Sequence, residues 1–177
     1  MTDFTNNLLN FNLHKGQINY LTLSNRLAAF HAKCFENSNQ RFNKNSMFYF
    51  LKSQNTHLLY DQRSLAIIQA AQLEADVITL AVDPSMRNHG IGSNLLTLVL
   101  EYLEHLNLKK VFLEVEANNT AALNLYRKTG FMRCGLRKDY YGLSQGERVD
   151  ALVMSYDLTR KSGCFDKKKL QKLYPTG

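Results

Sequence analysis

Between Ala75 and Glu116 the hydrophobic period of this chain changes twice, and that change limits the folds open to it. From Ala75 to Val82 the residues alternate, with Ile78, Leu80 and Val82 on one face, the pattern of a β-strand. Asp83-Pro84 ends that strand, because proline has no N–H to give to a ladder. From about Gly90 to Leu106 the apolar positions Ile91, Leu95, Val99, Leu103 and Leu106 trace a helical stripe. Lys110 to Glu116 alternates again, with Val111, Leu113 and Val115 facing one way and Phe112, Glu114 and Glu116 the other. A strand, a helix and a second strand in close succession place the chain in the mixed α/β class.

The flanks extend the pattern. Thr22 to Phe35 has Leu23, Leu27, Phe30 and Cys34 at helical spacing, and a short helix is expected over Asn43 to Lys52. His57–Tyr60 and Ser64–Leu73 read as strands joined by the turn Asp61-Gln62-Arg63. After Glu116 a helix is expected from about Asn119 to Lys128, stopped by Gly130, a residue suited to the left-handed turn that ends helices. Phe131–Arg137 and Asp150–Tyr156 read as closing strands, with Tyr140 and Tyr141 in the connection between them.

Composition narrows the function classes. The 177 residues, 45% of them hydrophobic and only two of them proline, suit one ordered domain with a sizeable core. No apolar stretch approaches the roughly 18 residues of a membrane span. The Asn- and Thr-rich start lacks a charged region followed by an apolar one, so no signal peptide is read. Cys34, Cys134 and Cys164 are scattered and odd in number, which suits a reducing cytoplasm and argues against disulfides or a metal site. Cys134 reads as a buried strand residue and not a nucleophile. The net charge of +7 favours anionic partners, and much of it lies in the tail, in Arg160, Lys161, Lys167, Lys168, Lys169 and Lys172. That tail reads as a solvated end or as an arm for RNA or an acidic surface.

The loop Arg87-Asn88-His89-Gly90-Ile91-Gly92 stands between a strand and a helix. A helix start offers unpaired N–H groups and the positive end of the dipole, and glycines let a phosphate approach the backbone. The lysine of a nucleotide P-loop is absent, and Leu95 stands where a dinucleotide fingerprint needs its third glycine. The loop is therefore a pyrophosphate cradle or a plain glycine turn, with His89 an exposed loop residue.

The run V-I-T-L-A-V-D-P-S-M-R-N-H-G-I-G, Val77 to Gly92, resembles motif A of the GNAT superfamily of N-acetyltransferases. Asn119, Ala122, Tyr126, Gly130 and Phe131 are similar to that family's second half. Within it, F-L-E-V-E-A-N-N-T-A-A-L-N-L-Y, R-K-D-Y-Y and D-A-L-V-M resemble the RimI-type ribosomal-protein alanine N-acetyltransferases. There are two departures: Phe35 to Met47 lacks the tryptophan common in that group, and the tail runs on past Leu158.

The resemblance implies a single GNAT domain over residues 16–158, after a flexible segment 1–15 and before a basic tail 159–177. It implies a mixed, mostly antiparallel sheet whose strands ending at Val82 and starting at Lys110 run parallel and splay apart. The co-substrate would be acetyl-CoA. The backbone of Leu80, Ala81 and Val82 would hold the pantetheine arm and polarise the thioester. Amides from Arg87, Asn88, His89, Gly90, Ile91, Gly92 and Ser93 would bind the pyrophosphate, and Asn119 would meet the pantetheine.

Glu114 would be the general base and Tyr126 the general acid, while Tyr140 and Tyr141 would grip the acceptor. Direct attack by an amine needs this set: a base for an ammonium, an N–H for the oxyanion and an acid for the leaving thiolate. Each has a plainer reading. Glu114 fits a solvated strand face, Tyr126 a core and Tyr140–Tyr141 a hairpin, while Glu74 and Glu116 remain alternative bases. The expected acceptor is a protein N-terminus, a ribosomal protein above all, with nucleic acid only incidental. The rivals are a small-molecule amine, a lysine side chain, or a non-catalytic module binding acetyl-CoA or ribosomal RNA.

Overall fold

The computed structural model describes residues 9–10, 19–36, 41–142 and 148–159. Most of segment 1–15 and nearly all of the basic tail 159–177 lie outside them. The elements run β1 (Leu9–Asn10), α1 (Tyr20–Cys34), α2 (Lys44–Lys52), β2 (Thr56–Tyr60), β3 (Ser64–Ala71), β4 (Glu74–Val82), α3 (Ile91–His105), β5 (Lys110–Glu116), α4 (Thr120–Thr129), β6 (Met132–Gly142) and β7 (Arg148–Asp157). They build one seven-stranded sheet in the order β1-β2-β3-β4-β5-β7-β6. Among the described strands only the β4–β5 pair is parallel, with α3 as its crossover. Among the described residues no helix is long and apolar enough to cross a membrane.

Local chemistry sets the helix ends. Asn19 and Asn43 cap α1 and α2, each side chain accepting two backbone N–H groups of the first turn. The Asn19 cap starts α1 two residues before the expected Thr22. Gly90 begins α3 at φ +76 and Gly130 ends α4 at φ +103, both in the left-handed region that favours glycine.

The helices lie in two layers. Leu23 and Leu27 of α1 and Met47 and Leu51 of α2 pack on Leu58, Leu65 and Ile67. On the other face α3 and α4 bury Leu96, Val99, Leu103, Leu123 and Tyr126 against Ile68, Val77, Val111, Leu113 and Met154. The first layer reaches no further than β4, while the second spans both halves of the sheet.

Several expectations are corrected. The alternation does not run unbroken through β4. Ile67 pairs with Thr79 and Ile68 with Val77, so Ile78 is an extra residue, a β-bulge. Ile78 packs with the α1–α2 layer and Thr79 bonds to His31 of α1, whereas Leu80 packs with the α3–α4 layer. Ile78 and Leu80 therefore do not share a face. β3 stops at Ala71, and the turn Gln72-Leu73, with Gln72 at φ +55, leads into β4. β6 extends through Tyr140 and Tyr141, which are strand residues. Cys134 is exposed, because β6 is an edge strand and its pairing with β7 slips between Arg133 and Gly135. Leu106, at the end of the helical stripe, is also exposed.

His31 ties α1 to this bulge. It is fully buried, stacked on Phe35 at 4.4 Å, and its Nδ1 accepts the Phe42 N–H while Nε2 donates to Thr79 Oγ1. Burial lowers its pKa from 6.5 to about 4. The unfolded chain therefore binds this proton below about pH 6.5 and the folded chain does not until about pH 4. Stability should fall through that window as the pH drops, by about 3 kcal/mol from this one group. Chemical denaturation at pH 4.5 and 7 checks it. His31→Gln should flatten the difference between the two pH values, and an unchanged difference would exclude His31 as its source.

Candidate functional site

The bulge coincides with the end of the β4–β5 ladder. Its rungs are Glu74–Lys110, Ala75–Val111, Asp76–Phe112 and Val77–Leu113. Beyond them β4 stays paired with β3 to Val82, and β5 stays paired with β7 to Glu116. The two strands separate into the expected opening, and a cleft of about 780 Å³ lies there, between the end of α1, the tail of β4 and the first turns of α3 and α4. That volume falls within the range of ligand sites, about 300–1,000 Å³.

Leu80, Ala81, Val82, Arg87, Asn88, Gly90, Ile91, Gly92, Ser93, Asn119 and Tyr126 all line the cleft. His89 is not in the lining; its ring turns back and Nδ1 donates to the Arg87 carbonyl at 2.7 Å. The start of α3 has no side-chain cap and no acidic residue in its first turn. Its first N–H groups are left to an anion. A Cβ on Gly90 would meet nothing within 4 Å, so the cradle is open in front of the backbone. A Cβ on Gly92 would touch Leu125 at 3.5 Å and Val82 at 3.6 Å, ordinary contacts, so Gly92 serves close packing of α3 less strictly. These features fit a pyrophosphate. Arg87 and Lys128 add positive charge around the cleft, whose lining also carries Glu36 and Lys33, the latter paired with Asp83.

Asn119 spends its side-chain oxygen capping α4, accepting the Ala122 N–H at 3.1 Å. The Tyr126 ring packs on Phe131 at 5.8 Å, and burial pushes its pKa up to about 12. Its hydroxyl therefore keeps its proton at neutral pH.

The cleft also has a wall that the sequence did not reveal. Lys33 to Glu36, at the end of α1, line it. Lys33 Nζ pairs with Asp83 Oδ2 at 2.8 Å, and Arg87 Nη2 donates to the Cys34 carbonyl at 2.6 Å. Asp83 also accepts from the Ser85 N–H and hydroxyl, and Lys33 and Ser85 together hold its carboxyl down near 2. These contacts join segments about 50 residues apart and leave no periodic signal. Burial pushes the Cys34 thiol up to about 11, so it carries no nucleophilic thiolate.

Glu114, Tyr140 and Tyr141 lie outside the cleft lining. Val111, Leu113 and Val115 of β5 enter the α3–α4 core, so Glu114 and Glu116 take the opposite face. Arg137 Nη1 donates to Glu114 Oε1 at 2.6 Å. Burial raises the pKa of the Tyr141 hydroxyl, reinforced by Glu114, Tyr140, Glu116 and Tyr126. Asp76, one rung before the strands part, is a carboxylate that the sequence did not single out. Burial and then Glu114 and Glu74 raise its pKa. Glu74 itself sits on the first rung of the ladder, at the end remote from the opening.

The model of the acetyltransferase (GNAT) family matches residues 22–131. The [ribosomal protein bS18]-alanine N-acetyltransferase of Salmonella typhimurium is 36% identical over 107 residues, 59% of this chain and 72% of that protein. The N-alpha-acetyltransferase RimI of Mycobacterium tuberculosis is 40% identical over 90 residues, 51% of each chain. The crystal structure of the ribosomal-protein-S18-alanine N-acetyltransferase from Escherichia coli superposes with a TM-score of 0.65 at 26% identity, covering 79% of this chain and 92% of that one. A family match across most of the folded chain, covering the opened sheet and the glycine loop that begins α3, is conclusive: the chain belongs to the GNAT acetyltransferases.

Proposed function

We propose that this acetyltransferase moves the acetyl group of acetyl-CoA to the N-terminal α-amine of a protein, by direct attack. The observation that carries this reading is the opening between β4 and β5, with the phosphate cradle and Tyr126 on one side and Glu114 on the other. The α3 N-terminus holds the pyrophosphate, and the free edge of β4 from Leu80 to Val82 binds the pantetheine amides and gives an N–H to the oxyanion.

An α-amine has a reference pKa of about 7.7–8.0 and arrives mostly protonated at neutral pH. Glu114 removes that proton, directly or through a water. The amine then attacks the thioester carbonyl, and Tyr126 donates its proton to the departing thiolate. The protonated Cys34 thiol is consistent with transfer that needs no enzyme-bound acetyl group. Among the described residues no helix layer packs over the face of β5, β6 and β7 that carries Glu114, which suits an extended chain end better than an enclosed small amine. The names of the Salmonella and Escherichia coli relatives make a ribosomal protein the favoured acceptor.

Thiol release from acetyl-CoA tests the reading against short peptides of varied N-termini, spermidine, and a lysine peptide with a blocked N-terminus. Turnover confined to free N-termini supports it. Turnover on spermidine or the blocked peptide overturns the acceptor and keeps the chemistry. In the same assay Tyr126→Phe should reduce kcat about tenfold or more and leave acetyl-CoA affinity unchanged. A wild-type rate would remove Tyr126 from the mechanism.

A further inference from the structure

The open face of β5, β6 and β7 carries a contact that the transfer described above leaves unused. Glu114 is paired with Val153 of β7, and Arg137 of β6 is paired with Ala151, two residues along. Paired residues share a face, so Glu114, Val153, Ala151 and Arg137 all look away from α3 and α4. Arg137 reaches diagonally across β7 to Glu114. Its guanidinium carbon lies 4.0 Å from the centroid of the Tyr140 ring, and Tyr140 meets Tyr141 edge to face at 5.0 Å.

An undistorted strand would not provide this. Strict alternation from Arg137 puts Asp139 and Tyr141 on its face and Tyr140 on the other. Instead Asp139 adopts φ +51, its N–H is donated to Asp150 Oδ1 at 3.0 Å, and the β6–β7 register breaks between Arg137 and Tyr141. Aspartate is one of the few non-glycine residues that enter the left-handed region readily, and here it turns the strand out of its regular alternation. Here the distortion sets the Tyr140 ring against Arg137.

Stability does not account for the arrangement. The Arg137 and Glu114 side chains are 51% and 30% exposed, and ion pairs so placed contribute little to folding. The contact does constrain direction: a ring holds the guanidinium plane, and the guanidinium holds one carboxylate oxygen.

We infer that Arg137 is a positioning residue, clamped by Tyr140, that binds Oε1 of Glu114 and so aims the other carboxylate oxygen at the incoming ammonium. This rests on the reading of Glu114 as the base. Lysine cannot replace arginine fully, because a point charge has neither the planar fork nor the same stacking on the ring.

The test compares Arg137→Gln, Arg137→Lys, Glu114→Gln and the Arg137→Gln/Glu114→Gln double variant, on the panel amine that the wild type turns over fastest. Arg137→Gln should lower kcat about tenfold, leaving KM for the amine, Kd for acetyl-CoA and the melting temperature near wild type. Arg137→Lys should recover part of the loss. In the Glu114→Gln background, Arg137→Gln should cost nothing further. A wild-type kcat for Arg137→Gln, or an equal loss in both backgrounds, overturns the positioning role while a slow Glu114→Gln leaves the base reading standing. A fast Glu114→Gln, or a wild type that turns over none of the amines, overturns the base reading and this role with it.

Discussion

Glu114→Gln is expected to lower turnover at pH 7 about tenfold, the factor by which protonated acceptor outnumbers free amine there, while acetyl-CoA still binds. The substitution keeps shape and polarity but cannot take a proton. The variant must then rely on the small fraction of acceptor already deprotonated. Its rate should climb with pH through the amine's own pKa of about 8, so the optimum moves upward. Affinity for acetyl-CoA is the internal control, because Glu114 lies off the cleft that holds it. Unchanged rates at pH 7 would exclude Glu114 as the base and turn attention to Asp76 and Glu116, which share its face.

The second large effect concerns the cofactor. Gly90→Glu should abolish acetyl-CoA binding, for two separate reasons. Gly90 sits at φ +76, where any other residue except asparagine or aspartate is strained by about 1–2 kcal/mol. Because nothing lies within 4 Å of its missing Cβ, the new side chain enters the open cradle. There its carboxylate takes the α3 N–H groups that a pyrophosphate needs, an internal anion in the ligand's place. Gly92→Ala is the control: its Cβ makes only ordinary contacts, so affinity should change little. Calorimetric titration with acetyl-CoA distinguishes the two. Retained affinity in Gly90→Glu would mean that the pyrophosphate binds elsewhere.

Most of the cleft was legible because its parts are local. The Gly90 start of α3, the Asn119 start and Gly130 stop of α4, and the switches of hydrophobic period each lie within one turn or one strand. The bulge was hidden because Val77-Ile78-Thr79-Leu80-Ala81-Val82 is nearly all apolar, and such a run does not say which residue faces which layer. The wall from Lys33 to Glu36 was hidden because only chain folding brings it to Arg87 and Asp83. The length of β6 and the place of Tyr140 depend on the partner strand β7 and on one left-handed residue, Asp139, neither of which appears as a period.

The four-rung seam between β4 and β5 has a further consequence. Its lower side is closed by the continuous α3–α4 core, and among the described residues the α1–α2 layer does not extend over its upper side. On the proposed reading the donor would arrive through the cleft, and the acceptor over the side that the described residues leave open. Neither has to leave before the other enters. A molecule arranged in this way could hold both reactants at once, and initial rates with both concentrations varied should then give the intersecting lines of a ternary complex.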